Sequence, residues 1–296
     1  MRKTGQRVRT AVAVLTAAVV GLTGCDAMGG DGPDEAGLGR QRAEAGPAVV
    51  WDRSPGSIAA VGDSITRGFD ACAVLVDCPE VSWATGDSPE VNSLAVRLLG
   101  ARAATHSWNY AVSGTAMADL PAQMERAAAR EPELVTVMTG ANDACRSSTS
   151  AMTPVDDFRA DFEDALHTLR EALPKAQVYV ASIPNLMRLW SEGRTNPLGK
   201  QVWKLGICPS MLGDADAVDA AANERRATVQ RRVMDYNAVL AEVCGADEYC
   251  RYDGGAVFEY RFGTAQLSPW DWFHPSKNGQ ARLAEIAYRK VTSEKP

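Results

Sequence analysis

Histidine is scarce in this chain: three residues in 296, at positions 106, 167 and 274. None of the seven cysteines forms a C-x-x-C pair. Few imidazoles and no closely spaced thiols exclude a zinc-built domain. Long apolar runs are absent as well. The most apolar stretch, AVAVLTAAVVGLTG at 11–24, falls short of the ~20 residues a spanning helix needs. Net positive charge is also missing: the formal balance is −6. That argues against nucleic acid as a partner and against electrostatic docking on anionic lipid. No internal repeat is apparent.

What is present begins with a charged N-terminus. Arg2, Lys3, Arg7 and Arg9 precede the 11–24 run with no acidic residue among them. That is the layout of an export signal, and the arginines form no twin pair, so the general route is expected. Leu22-Thr23-Gly24-Cys25 resembles the bacterial lipobox, in which the cysteine is lipidated and becomes the new N-terminus. Residues 1–24 are therefore expected to be a lipoprotein signal peptide, with Cys25 carrying the anchor. The protein is then expected on the extracellular side of the cell membrane, lipid-anchored or secreted. Losing residues 1–24 removes four positive charges and takes the formal charge from −6 to −10, so any anchoring would be covalent. Residues 25–50 are rich in Gly, Asp, Glu, Ala and Pro and poor in large apolar side chains, the composition of a flexible tether. Residues 51–296 suffice for one sizeable domain, expected to act as a monomer.

Six cysteines remain after Cys25, an even count that suggests disulfides in an exported chain. Six cysteines allow 15 pairings, and sequence alone selects none. Cys72 and Cys78, like Cys244 and Cys250, are separated by five residues, which favours two small loops and leaves Cys145 with Cys208.

Periodicity gives an alternation of strands and helices. SIAAV (57–61), WNYAV (108–112), ELVTVM (133–138) and QVYVASI (177–183) have the look of buried parallel strands. Between the last two, Val155, Phe158, Phe162, Leu166, Leu169 and Leu173 form one helical face. Thr153 is expected to cap that helix, Pro154 fits its first turn and Pro174 ends it. Such alternation predicts an α/β domain with a parallel sheet, whose sites form outside the carboxyl ends of the strands. Residues 185–245 are less regular. The first part reads as an insertion over that rim and a wall for a substrate pocket, followed by a long helix to about Val243. Asp214, Asp216 and Asp219 faintly resemble a calcium loop but lack its glycine, so an acidic helix start explains them better.

The candidate chemistry gathers at strand ends. Gly62-Asp63-Ser64 follows the first strand, and Ser64 is either a helix cap or a presented hydroxyl. Gly114 closes NYAVSG after the second strand, where glycine lets a backbone N–H approach a ligand oxygen. Asn142 lies in GAND after the third and offers a side-chain amide. Among the histidines, His274 in WDWFHPS has Asp271 three residues before it, close enough for one turn to bring the carboxylate onto the imidazole. An acid so placed fixes the tautomer and leaves the other nitrogen free to take a proton from a serine. The alternative is a structural histidine packed between Trp272 and Pro275. Ser276 is expected to cap the following helix, with Leu283, Ile286, Ala287 and Val291 inside. His167 reads as a surface or boundary residue and His106 has no nearby acid. Trp83, Trp190, Trp203, Trp270 and Trp272 could line a groove, although core packing suits most of them.

GDSIT, NYAVSG, GAND and DWFH, in that order over residues 62–274, resemble the GDSL or SGNH hydrolase family, named for its Ser, Gly, Asn and His. The resemblance implies a three-layer α/β/α sandwich of flavodoxin-like topology. It implies Ser64 as nucleophile, His274 as base and Asp271 as its partner. Gly114 and Asn142 would complete an oxyanion hole begun by the Ser64 N–H. Ile65 stands where the family's name-giving leucine usually does. Three disulfides in an exported chain of this size further resemble actinobacterial extracellular lipases and esterases of the family. The expected activity is hydrolysis of small-molecule or lipid carboxylic esters through an acyl-enzyme, without metal or organic cofactor. The alternatives are a non-catalytic lipid-anchored binding protein, or an acyltransferase using the same residues.

Overall fold

Three apolar runs form strands buried along their whole length. They are β1 (Ile58–Gly62), β3 (Leu134–Met138) and β4 (Gln177–Val180). Strands covered on both faces need no polar alternation, which is why these runs read as continuously apolar. The computed structural model describes residues 50–294. The expected signal peptide at 1–24, the lipidated Cys25 and nearly all of the 25–50 tether lie outside the described residues. Among the described residues, no helix is long and apolar enough to cross a membrane.

The short β2 (Ser107–Asn109) and β5 (Cys250–Tyr252) flank the buried strands and complete one five-stranded sheet in the order β2-β1-β3-β4-β5. Every pair is parallel. This is the flavodoxin-like order, in which the chain reverses direction across the sheet between β1 and β3. Helices Leu120–Ala128, Val155–Ala172 and Ala220–Gly245 pack together as one layer, and Leu94–Leu99 and Lys277–Val291 as the other. The expected three-layer sandwich is the fold found.

Local differences from the sequence reading have physical reasons. β2 ends at Asn109 rather than 112, yet Tyr110 N donates to Ala60 O (2.7 Å) and Val112 N to Gly62 O (3.1 Å), so the chain still tracks β1 toward Gly114. Thr153 does not cap the Val155–Ala172 helix. Its hydroxyl donates instead to Asp143 Oδ1 (2.8 Å), and the helix starts after Pro154 without a side-chain cap. β5 was not expected, because three residues with a buried arginine at their centre carry too little apolar periodicity to be read as a strand. Asp219 caps the Ala220–Gly245 helix through Ala222 N (3.0 Å), so of the three acids it alone begins the helix; Asp216 pairs with Lys200 (2.8 Å) and Asp214 lies in the preceding turn with φ +47°. Ser276 caps the last helix through Gly279 N (3.2 Å). The disulfides join Cys72 to Cys78, Cys145 to Cys208 and Cys244 to Cys250.

Candidate active site

β1 delivers its residues to the rim by main-chain geometry. Gly62 has φ +139°, and a Cβ there would stand 2.0 Å from the Met138 carbonyl oxygen of β3, so only glycine lets the strands stay this close. Asp63 follows as the helix cap, its Oδ1 accepting from Ile65 N (2.9 Å). Ser64 is then the first residue of the helix Ser64–Arg67 rather than its cap, and its hydroxyl is free for another partner.

That partner is His274. Its Nε2 lies 2.8 Å from Ser64 Oγ, across 210 positions of sequence. Its Nδ1 lies 2.5 Å from Asp271 Oδ2, and Asp271 Oδ1 accepts from the main-chain N–H of Phe273 (2.9 Å) and His274 (3.0 Å). A ring that donates Nδ1–H to a carboxylate carries its free lone pair on Nε2, facing the serine. The His274 ring is flanked edge-on by Phe69 (5.0 Å) and Phe273 (4.9 Å), not by Trp272 and Pro275. Burial pushes the Asp271 carboxyl up, but the hydrogen bond and charge of His274 and the two N–H donors outweigh it and hold it below its ordinary value. At Asp63 burial prevails instead and lifts the carboxyl to about 7.

Gly114 and Asn142 line the same cleft as Ser64 and His274, a space of about 300 Å³. Gly114 has φ +85° with open space where a Cβ would be. Asn142 Nδ2 donates to Thr115 O (2.8 Å), which fixes the amide beside the Gly114 turn and leaves its second N–H available. Asp143 supports the same turn: its Oδ2 accepts from Met117 N (3.0 Å). From the 185–245 segment, Gly206, Ile207 and Cys208 form one wall of the cleft. None of the five tryptophans considered above lines it, and its aromatic walls are Phe69 and Phe273. His106 and His167 are exposed and far from this chemistry in role: His106 Nδ1 meets Thr105 Oγ1 (2.8 Å), and His167 faces Glu171 (3.8 Å).

Two glutamines that the sequence reading passed over hold the frame. Gln280 is fully buried; its Oε1 accepts from Trp83 N (2.9 Å) and its Nε2 donates to Ile65 O (2.8 Å). Gln123 Oε1 accepts from Gly62 N (2.8 Å) and its Nε2 reaches Thr115 Oγ1 (3.2 Å). A signal existed for both, since each occupies an apolar phase of its helix: Gln280 with Leu283, Ala284, Ala287 and Val291, Gln123 with Leu120, Met124 and Ala127.

With this geometry in place, comparison with known families is decisive. The family model for GDSL-like lipases and acylhydrolases matches residues 58–287. The chain belongs to the GDSL-like lipase/acylhydrolase family. Ester hydrolysis is the activity at family level, and the four family blocks are the stretches that meet at this cleft. No curated protein sequence matches the chain. Solved structures similar to it include an extracellular lipase from Streptomyces rimosus (19% identity, 80% of this chain and 99% of that one, TM-score 0.46). Another is phospholipase A1 from Streptomyces albidoflavus NA297 (17%, 81% and 100%, 0.48). A third is LAE5, an alpha/beta hydrolase from the metagenome of Lake Arreo, Spain (18%, 80% and 94%, 0.49). Membership rests on the 58–287 match and not on these.

Proposed function

We propose that this family member is a serine esterase that hydrolyses carboxylic esters through a covalent acyl-enzyme. The observation that carries this reading is the unbroken path from Ser64 Oγ through His274 to Asp271, at 2.8 and 2.5 Å. As the Ser64 oxygen attacks the ester carbonyl carbon, His274 Nε2 takes the hydroxyl proton. The carbonyl π pair moves onto oxygen, where the N–H groups of Ser64 and Gly114 and the free Asn142 N–H hold it. Collapse breaks the bond to the alcohol, which leaves with the proton from His274. Water then attacks the acyl group with His274 again as base, releasing the acid and restoring Ser64. Asp271 keeps the ring in the required tautomer throughout and compensates the imidazolium charge.

The substrate reading follows from the walls. Phe69 and Phe273 offer apolar surface next to Ser64, which suits an acyl chain. Phe273 also walls a second, tight apolar cavity of about 40 Å³ beside Ile65, Ala141 and Leu189. Such a space suits a short acyl terminus rather than a long chain. The test is burst acylation by a nitrophenyl ester, with covalent labelling by a fluorophosphonate. Ser64→Ala is expected to abolish both and to lower kcat by at least ~10⁴ with the fold retained. Normal turnover by that variant ends this reading, as does a folded wild type that neither acylates nor labels.

A further inference from the structure

Behind Asp271 stands a second buried carboxyl with no part in the steps above. We propose that Asp70 is a positioning residue for this site, its carboxyl hydrogen-bonding the Asp271 carboxylate that holds His274. One ligand atom from each of Asp70, Asp271 and His274 can be chosen so that all lie within 4.8 Å of one another, and all three residues are buried. The inference rests on the esterase reading for what His274 does, but the contact between the acids is independent of it.

Asp70 is held unusually firmly for a loop residue. It has φ +56°, in the left-handed region, and is 1% exposed. Strain of that kind persists only where surroundings fix it. Its N–H donates to Val76 O (3.0 Å), its Oδ1 accepts from Leu75 N, and its carbonyl accepts from Ser268 Oγ (2.7 Å). Asp70 thus joins the Cys72–Cys78 loop to the loop that carries Asp271 and His274. One carboxyl oxygen, Oδ1, accepts from Leu75 N, and a carboxyl has a second oxygen for another partner.

Two carboxylates this close cannot both ionise cheaply, so the pair shares a proton. Burial and the Asp271 charge lift Asp70 to about 6, against the Leu75 N–H, whereas Asp271 lies below its ordinary value. Asp70 therefore keeps the proton and donates it to Asp271. The facing groups are few. From the 268–276 loop they are Asp271 and His274, and from the end of β1 Asp63 acts on His274. Arg67 on the preceding helix is engaged by Asp77 (3.4 Å). Among the described residues no Lys or Arg ion-pairs with Asp70 or Asp271.

The sign follows. Below about 6, neutral Asp70 donates to Asp271; above it, ionised Asp70 adds a negative charge that favours imidazolium and draws the acid limb of the rate profile upward. Asp70→Asn keeps a donor toward Asp271 and an acceptor for Leu75 but cannot ionise. It is expected to hold kcat within about threefold while moving the acid limb of kcat/KM down by about one pH unit. Asp70→Ala removes the donor and, assayed below about pH 6 where Asp70 is neutral, is expected to lower kcat roughly 10- to 100-fold with KM unchanged, the loss of one hydrogen bond to a charged group. If Asp70→Ala does not fold, Asp70→Asn decides alone. Proton NMR of the downfield His274 Nδ1–H resonance reads the same contact without turnover. In Asp70→Asn it should lose the part of its pH dependence that follows the ionisation of Asp70 near 6. An unchanged acid limb, or an unchanged resonance and titration in that variant, overturns the proposal. A wild type that shows this pH dependence of the resonance but no acylation overturns the esterase reading instead and leaves the brace standing.

Discussion

Ser64 and His274 meet at one hydrogen bond, yet the molecule places them by different means. Ser64 is set by main-chain geometry at the end of a strand buried on both faces: Gly62 against β3, an Asp63 cap, then the first turn of a helix. His274 sits in an irregular loop with a single isolated bridge, Leu267 to Pro275. That loop is closed on itself by Ser268 N to His274 O (2.7 Å) and Trp272 N to Ser268 O (3.0 Å), but it is tied to the rest of the molecule by side chains: Ser268 Oγ to Asp70 O (2.7 Å) and Trp203 Nε1 to Asp271 O (3.0 Å). A nucleophile fixed by the sheet resists displacement at little further cost. A base fixed by scattered hydrogen bonds is placed only as well as its partners.

Short of removing Ser64 itself, the largest effect should fall where neither mode of placement is altered. Asn142 presents an amide already oriented by Thr115, so Asn142→Ala removes a donor and leaves Ser64 and His274 where they are. The expected loss is about 10²–10³ in kcat with little change in KM, measured by steady-state kinetics on an activated ester. A loss of similar size in KM alone would mean that the amide binds the ground state and not the developing anion.

Gly62→Ala tests the main-chain mode. The new methyl must displace Met138 O, pushing β1 from β3 at the sheet's centre. A stability loss of about 3 kcal/mol is expected in urea unfolding, at the upper end of overpacking costs. Activity should fall only as folded protein is lost. Gln280→Leu tests a side-chain tie on the serine's own turn. It orphans the buried Trp83 N–H and Ile65 carbonyl, for an expected cost of about 2 kcal/mol. Because Gln280 ties the last helix to the turn after Ser64, kcat of the folded fraction should also drop, about tenfold. If both variants lose activity only in proportion to stability, the contrast between the two modes is wrong.

The same contrast explains what could be read in the sequence. Main-chain placement leaves a local trace: an apolar run, a glycine, then a polar residue. Hence β1, β3, β4 and the positions of Ser64, Gly114 and Asn142 were legible. His274 was legible because its acid lies three residues away in the same turn. Asp70 was not, since it reaches Asp271 across 201 positions and its string, GFDA, has no pattern of its own. Thr153 was misread for the same reason: a cap is local, whereas its true partner Asp143 is fixed by the packing of the third strand's exit. Gln123 and Gln280 fall between these cases. Each breaks an apolar stripe visibly, and a polar side chain in a buried phase demands a partner even when the sequence does not name it.

The smallest effect belongs to a histidine held by neither mode. His167 lies on the outer face of the Val155–Ala172 helix with Glu171 one turn on, at 3.8 Å, both side chains mostly exposed. Exposed pairs at this spacing contribute only a few tenths of a kcal/mol, and salt screens them further. His167→Ala should therefore change the unfolding midpoint by less than ~0.5 kcal/mol and leave the pH–rate profile superimposable on that of the wild type. An acid limb that moved in this variant would mean that the profile reports helix stability and not the imidazole between Asp271 and Ser64. The inference about Asp70 would then need its NMR reading alone.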